Sequence, residues 1–103
     1  MKIIKPIIER LHPVCKEGVG NGIQKIYRFK NNYGARVVRF KIHNTYGSYT
    51  SNEKEWELAI IKFNSKDNEN FKLVYNTPIT DDVMGHLTDK KVEEILIKIK
   101  GLK

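Results

Sequence analysis

The stretch IQKIYRFKNNYGARVVRFKIH, residues 23–43, predicts a β-hairpin and, with it, most of the fold. Its two halves are rich in β-branched and aromatic residues, which favour strands. Between them lies NNYG, residues 31–34, and Asn and Gly tolerate the left-handed backbone angles that a short hairpin turn requires. We therefore predict antiparallel strands over residues 23–30 and 35–43, joined by this turn.

The second of these strands alternates in side-chain character. One face carries Val38, Phe40 and Ile42, and the opposite face carries Val37, Arg39, Lys41 and His43. Side chains on neighbouring strands of a sheet come close together, so we expect Arg28 and Lys30 of the first strand near this basic row. The pattern predicts a positively charged face or edge of a sheet.

Charge is unevenly distributed along the chain, whose formal net charge is +7. Residues 1–52 contain ten Lys and Arg against two Glu, whereas residues 53–103 contain nine Lys against ten Asp and Glu. The first half contains all of the arginines, namely Arg10, Arg28, Arg36 and Arg39. A basic half of this kind attracts phosphate groups or an acidic protein surface.

Two more strands are predicted after the hairpin. The segment EWELAIIKF, residues 55–63, is apolar on both faces at its centre, which is typical of a central strand covered by a helix. FKLVYNT, residues 71–77, is predicted as the fourth strand. Consecutive strands joined by short turns indicate an antiparallel meander.

The segment DKKVEEILIKIK predicts a C-terminal helix. Its apolar residues follow the i, i+3, i+4, i+7 spacing of one helix face: Val92, Ile95, Leu96 and Ile99. Thr88 is a suitable N-cap and Gly101 a suitable C′ residue. Because this apolar stripe must be buried, the sequence predicts an α+β fold in which a four-stranded antiparallel meander has the helix packed on one face.

We predict a single domain over residues 1–103. It comprises a basic N-terminal extension with a Gly-rich link (1–22), an antiparallel sheet (23–76) and a turn with the C-terminal helix (77–103). In the extension, Ile4, Ile7, Ile8 and Leu11 have helical spacing, so a short helix from about Lys5 is preferred over an edge strand. The Gly-rich link has no Lys-Ser/Thr pair and precedes a strand, which disfavours a phosphate-binding loop.

Several functional classes are disfavoured by composition. The chain lacks an apolar run of the roughly 20 residues that a membrane helix needs, and its start does not resemble a signal peptide. Cys15 is its only cysteine, so no internal disulfide is expected. These features indicate an intracellular protein without a membrane partner. A catalytic pair of Cys15 with His12 is disfavoured by Pro13 and the glycines that flank it, and we predict no enzyme activity.

The stretch TPITDDVMGHLTDKK, residues 77–91, is rich in metal-binding residue types. On a helical turn, Asp82 and His86 would share one face and could contribute to a metal site. We prefer a structural interpretation, in which Thr77, Thr80, Asp81 and Asp82 satisfy backbone N–H groups around a corner. No metal and no cofactor are therefore predicted.

The candidate binding residues are basic and aromatic. They belong to the hairpin and the loop that follows it: Arg28, Lys30, Tyr33, Arg36, Arg39, Lys41, Tyr46 and Tyr49. Arginine and tyrosine are enriched at the energetic centres of protein interfaces, so the favoured partner is a protein with an acidic surface. The alternative is single-stranded nucleic acid, with arginines on phosphates and tyrosines stacked on bases.

Three segments, YGARVVRF, SYTSNEKEWELAIIKF and LVYNTPITDDVMGHLTDKKVEEILIKI, resemble a group of small proteins encoded by bacteriophages and prophages. Members show YG-x-x-VVR, WELA and a YDTPITDDVIG-x-LT block in the same order; here Asn76 replaces the usual Asp and Met84 the usual Ile. No activity is assigned to the group, so no site residues are transferred. The resemblance implies a small phage accessory protein that acts inside a host bacterium. By analogy with other small phage proteins, we predict that it binds and inhibits or modulates a target in the host cytoplasm, such as a defence or replication factor.

Overall fold

A computed structural model describes residues 4–13, 15, 20–43, 45–47, 50–80 and 82–102. These residues form an α+β fold with a seven-stranded antiparallel sheet and a C-terminal helix. The elements are β1 (Ile8–Leu11), β2 (Asn21–Arg28), β3 (Tyr33–Ile42), β4 (Thr45–Tyr46), β5 (Trp56–Phe63), β6 (Phe71–Leu73), β7 (Met84–Leu87) and α1 (Asp89–Lys100). The sheet runs in the order β1-β2-β3-β5-β6, with β4 paired to β3 and β7 paired to β5.

The predicted four-stranded meander is present as β2, β3, β5 and β6, but the strand count was wrong because three short strands are added to it. The predicted N-terminal helix was also wrong. Ile8–Leu11 forms an edge strand, β1, which pairs with β2. A helix of about two turns is marginal in water, whereas the unpaired edge of β2 offers hydrogen-bond partners for the backbone.

The predicted hairpin is confirmed as β2 and β3, although both strands begin two residues earlier than expected. At its turn, Asn32 adopts a positive φ of 66°. The side-chain amide of Asn31 donates to the carbonyl oxygens of Ile99 at 2.9 Å and Leu102 at 2.8 Å. The hairpin turn therefore satisfies carbonyl groups at the end of α1, which lack partners within the helix.

Strands β6 and β7 share one edge of β5. β6 pairs with the last residues of β5 and β7 with the first. After Val74, whose N–H donates to the carbonyl oxygen of Ile60, the described residues 75–80 and 82–83 lie outside both strands. Within this excursion the Thr77 hydroxyl accepts the N–H groups of Ile79 and Thr80, and the Thr80 hydroxyl accepts the N–H of Asp82. The predicted corner is thus confirmed for Thr77 and Thr80, and for Asp82, whose carboxylate accepts the N–H of Val83. The corner joins the strands β6 and β7. Asp81 lies outside the described residues.

One face of the sheet, called the helix-side face, packs against α1. Its buried residues are Tyr27, Ala35, Val37, Trp56, Leu58 and Ile60, and those of the helix are Val92, Ile95, Leu96 and Ile99. Thr88 caps the helix by accepting the N–H of Lys91 at 3.2 Å, as predicted. Gly101 follows the last helical residue with a φ of −90°, so it does not adopt the left-handed conformation that is typical of a C′ glycine. The predicted central position of β5 is confirmed, because residues 58–61 are buried on both faces.

The opposite face, called the outer face, carries a smaller core of Ile26, Ile61 and Phe63. It is covered in part by the turn of residues 64–70. Arg10 forms two hydrogen bonds of 2.8 and 2.9 Å with the Glu69 carboxylate, and Arg28 donates to the carbonyl of Ser65 at 2.7 Å. The hydrogen bond between Arg10 and Glu69 raises the pKa of the first and lowers the pKa of the second.

Stability is expected to fall as the pH is lowered from 7.5 to 5.5 because His12 is buried. His12 is 3% exposed and its ring centroid lies 4.7 Å from that of Phe40. Burial, followed by the charge of Arg36, lowers the pKa of His12 in the folded state. Below about pH 6.5 the unfolded chain therefore binds a proton that the folded chain does not, so this contribution is present above that pH and lost below it.

Urea denaturation at the two pH values measures this loss. We expect the decrease in unfolding free energy to be smaller in His12→Phe than in the wild type; this variant keeps an aromatic ring against Phe40. His43→Gln is the control, because His43 is exposed, and we expect it to show the same decrease as the wild type. An equal decrease in wild type and His12→Phe would show that His12 is not the responsible group.

Candidate binding surface

Three cations from β2 and β3 lie on the helix-side face. Lys25 pairs with Val37 and Ile23 pairs with Arg39, which places Lys25 and Arg39 on the same side of the sheet. Lys41 follows Arg39 by two residues and therefore shares this side. We call Lys25, Arg39 and Lys41 the cationic patch. It lies at one end of β3, beside the part of the face that α1 covers.

Trp56 holds two of these cations in place. The residue is 4% exposed, and the centroid of its ring lies 4.7 Å from Lys25 Nζ and 4.1 Å from Arg39 Cζ. The indole N–H donates to Asp89 Oδ1 at 2.6 Å, which links the ring to the first residue of α1. Arg39 also donates to the carbonyl of Glu53. Since cation–π attraction orients both side chains, their charges are presented in a defined position.

A cleft of about 400 Å³ lies between α1 and the patch. Tyr27, Lys25 and Arg39 contribute to the sheet side, and Val92 and Leu96 to the helix side. Burial, and after it the charges of acidic neighbours, raises the pKa of Tyr27. The Tyr27 hydroxyl, like any phenol at neutral pH, is protonated and is able to donate a hydrogen bond.

A smaller cleft of about 160 Å³ lies on the other side of Arg39 and is lined in part by Lys41 and Tyr46. The Lys41 ammonium lies 5.1 Å from the centroid of the Tyr46 ring. Within the described ranges, neither Arg39 nor Lys41 has a carboxylate oxygen within 4.0 Å, and Lys25 has only Glu9 at 3.8 Å. The patch thus keeps positive charge that is available to a partner.

The structure brings together only some of the predicted binding residues. Arg39, Lys41 and Tyr46 are neighbours, whereas Lys30 and Tyr33 lie near the hairpin turn. The Lys62 ammonium lies 5.1 Å from the centroid of the Tyr33 ring. Tyr49 lies outside the described residues.

The expectation that Arg28 lies near the basic row was wrong. Arg28 pairs with Gly34, so its side chain is on the outer face, where it stacks on Phe63 and holds the turn of residues 64–70. Arg36 also faces outward because it pairs with Ile26. Burial lowers the pKa of Arg36, and the nearby carboxylate of Glu57 opposes that shift. These two arginines contribute to the fold of the outer face and not to the patch.

Lys25 and Trp56 belong to the surface but were not among the predicted binding residues. The turn predicted at residues 31–34 would place Lys25 opposite Phe40, on the face away from Arg39. In the observed register residues 30–32 form the turn and Lys25 lies opposite Val37, on the Arg39 side of β3. Trp56 gave no signal either, because a tryptophan in an apolar strand is ordinarily a core residue.

His86 does not form the helical turn with Asp82 that was considered for a metal site, because Met84–Leu87 forms strand β7, in which His86 has a positive φ of 53°. His86 Nδ1 lies 2.9 Å from Glu55 Oε1 and 3.2 Å from Ser51 Oγ. A serine-hydrolase arrangement requires the acid and the serine on different ring nitrogens, whereas here both contact the same one. The hydrogen bond with His86 lowers the pKa of Glu55. In the part of the chain that the structure describes, no group of three or more His, Cys, Asp or Glu side chains could hold a metal ion.

Comparisons with protein-family models, with curated proteins and with solved structures gave no match to this chain. The resemblance to phage and prophage proteins therefore stays a prediction. Of the residues placed in the structure, none belongs to a helix long and apolar enough to cross a membrane.

Proposed function

We propose that this chain is a non-enzymatic accessory protein of a phage or prophage that binds a protein of its host bacterium. Binding would take place in the host cytoplasm and would inhibit or modulate the target, such as a defence or replication factor. The observation that carries the proposal is the clustering of Arg39 and Lys41 beside Tyr46. Among the described residues no carboxylate oxygen lies within 4.0 Å of either cation, although Glu53 lines the same small cleft. Charges arranged in this way complement an acidic protein surface.

The alternative is single-stranded nucleic acid, which the net charge of +7 favours. Sequence-independent binding of single strands depends on aromatic rings on which bases stack. Near the patch, Trp56 is buried beneath Lys25 and Arg39, and Lys41 lies over Tyr46. Because the protein's own cations occupy these ring faces, the geometry favours a protein partner.

The phage resemblance gives the proposal its biological setting. Small phage proteins of this size commonly act by stoichiometric occupation of a host target, which is an argument by analogy. The site chemistry is consistent with binding without catalysis. The His86 cluster, which contains a histidine, a carboxylate and a hydroxyl, does not have the geometry of a nucleophile activated by a base.

Affinity capture from a bacterial lysate tests the proposal. We expect one host protein to be retained by the wild type and to be reduced at least about tenfold with Lys41→Glu, because reversal of a contact charge costs roughly 1.4 kcal/mol or more. Lys72→Glu is the matched control. It makes the same charge change on an exposed residue of the edge strand β6, which is separated from β3 by β5.

Retention on an oligo(dT) column that falls steeply with salt and is lost in Lys41→Glu would favour the nucleic-acid alternative. Equal capture of the host protein by Lys41→Glu and wild type would show that the patch is not the contact. Both measurements use the full chain, and circular dichroism confirms that each variant is folded.

A further inference from the structure

The cleft between α1 and the sheet is lined by charges of both signs. Lys25 and Arg39 contribute cations from the sheet side, and Asp89 and Glu93 contribute carboxylates from α1. Among the described residues, no nitrogen of these two cations lies within 4.0 Å of an oxygen of these two carboxylates. Opposite charges therefore line one cleft without forming an ion pair across it.

Trp56 fixes three of these groups around one ring. Arg39 Cζ and Lys25 Nζ lie 4.1 Å and 4.7 Å from the ring centroid, whereas Asp89 Oδ1 accepts the indole N–H at 2.6 Å. Cations are attracted to the face of an indole, and a carboxylate is attracted to its N–H edge. Because Trp56 is buried in the core, the separation of the two kinds of charge is set by the fold. Lys25 also has Glu9 at 3.8 Å, so Arg39 is the cation with more capacity for a ligand.

The remaining lining of the cleft is largely aliphatic. Val37 contributes from the sheet, Val92 and Leu96 from α1, and Ile4 from the segment that precedes β1. The volume of about 400 Å³ lies within the range of small-molecule sites, which are mostly apolar with a few polar groups that fix the ligand. A ligand that matches this lining has an aliphatic body, one anionic group and one cationic group.

We infer that the cleft binds a small zwitterion with an aliphatic body, either a free amino acid or a short peptide. Its carboxylate would meet Arg39, because a planar guanidinium donates to carboxylates in a matching geometry. Its ammonium group would meet Glu93. A ligand with only one kind of charge would leave the opposite side of the cleft without a partner. The inference goes beyond the proposed function and does not depend on it, since Lys41 lines the smaller cleft.

Fluorescence titration tests the inference, because Trp56 lies at the cleft and is the only tryptophan of the chain. The probes are L-leucine and the dipeptide leucyl-leucine. Each is also titrated as its N-acetyl derivative, which lacks the ammonium group, and as its amide, which lacks the carboxylate. We expect a saturable change with at least one unblocked probe and at least about tenfold weaker binding of its two blocked forms, since each loses a charge-assisted contact. Tighter binding of the dipeptide would assign the site to short peptides, and tighter binding of leucine would assign it to free amino acids.

Two substitutions test the two ends of the site separately. Glu93→Gln and Arg39→Met should each weaken binding at least about fivefold. Glu94→Gln is the matched control for the first, because Glu94 is the next residue of α1 and is exposed. Lys72→Met is the control for the second, because it removes one positive charge from an exposed residue of β6. Circular dichroism confirms that each variant is folded.

Three results would overturn the inference: no saturable response to either unblocked probe, equal binding of a blocked form, or unchanged affinity in both Glu93→Gln and Arg39→Met. Equal binding of the N-acetyl derivative would show a simple anion site, and equal binding of the amide a simple cation site. An equal loss of affinity in Glu93→Gln and Glu94→Gln would show a general effect of charge on α1 and no contact with Glu93.

Discussion

Replacing Gly34 with alanine is expected to destabilise the protein by about 3–5 kcal/mol, which is a large part of the stability of an ordinary small domain. A Cβ atom at Gly34 would lie 1.8 Å from the carbonyl oxygen of Tyr27 and 3.1 Å from Cε1 of Phe63. The first neighbour is backbone of the paired strand β2, so it cannot move without disrupting the ladder. Relief of the clash therefore requires β2 and β3 to separate at the hairpin end.

The measurement is urea denaturation followed by far-ultraviolet circular dichroism. Gly101→Ala is the matched control, because a Cβ there would meet its nearest atom at 3.6 Å, an ordinary contact, and the residue has a negative φ. We expect the control to change stability by less than about 1 kcal/mol. A loss below about 1 kcal/mol in Gly34→Ala would mean that the two strands are not as close at this point as the structure shows.

Trp56→Ala is expected to cost about 3–5 kcal/mol and also to weaken partner binding. The indole is nearly fully buried in the helix-side core, and it donates a hydrogen bond to Asp89 at 2.6 Å. Its removal leaves a cavity between β5 and α1 and takes away the surface on which Lys25 and Arg39 lie. A single substitution is therefore expected to affect both the fold and the cationic patch.

Trp56→Phe separates the two effects. Phenylalanine keeps an aromatic surface beneath the cations but cannot donate to Asp89, so we expect a smaller stability loss of about 1–2 kcal/mol and near-normal capture of the partner. Denaturation followed by circular dichroism measures the first quantity and affinity capture the second. If Trp56→Ala binds the partner as well as the wild type does under conditions where it is folded, Trp56 does not position the patch.

Elements defined by local patterns were predicted from the sequence. The apolar spacing of DKKVEEILIKIK and the cap at Thr88 describe a helix whatever lies around it, and α1 has these bounds. The hairpin was equally local, since its turn residues lie between two β-rich segments. The buried centre of β5 followed from an apolar run that only a covered central strand can accommodate.

Elements that depend on distant partners were not predicted. Ile8–Leu11 has helical apolar spacing, yet it is a strand because β2 offers it an edge. Met84–Leu87 likewise becomes a strand because the first residues of β5 lack a partner on the side away from β3 until the chain returns to them. In the first segment the β-branched residues only made an edge strand the alternative to a helix, and MGHL carries no strand signal.

The candidate site shows the same division. The sequence alone determined that basic residues are concentrated in the first half of the chain and that Arg39 and Lys41 share a strand face, because side-chain alternation is a property of one strand. The tertiary structure alone decided that Arg28 serves the outer face and that Lys25 joins Arg39 over Trp56. The physical reason is register: a shift of one residue between paired strands moves a side chain to the other face of the sheet, and register is set by contacts between residues far apart in the chain.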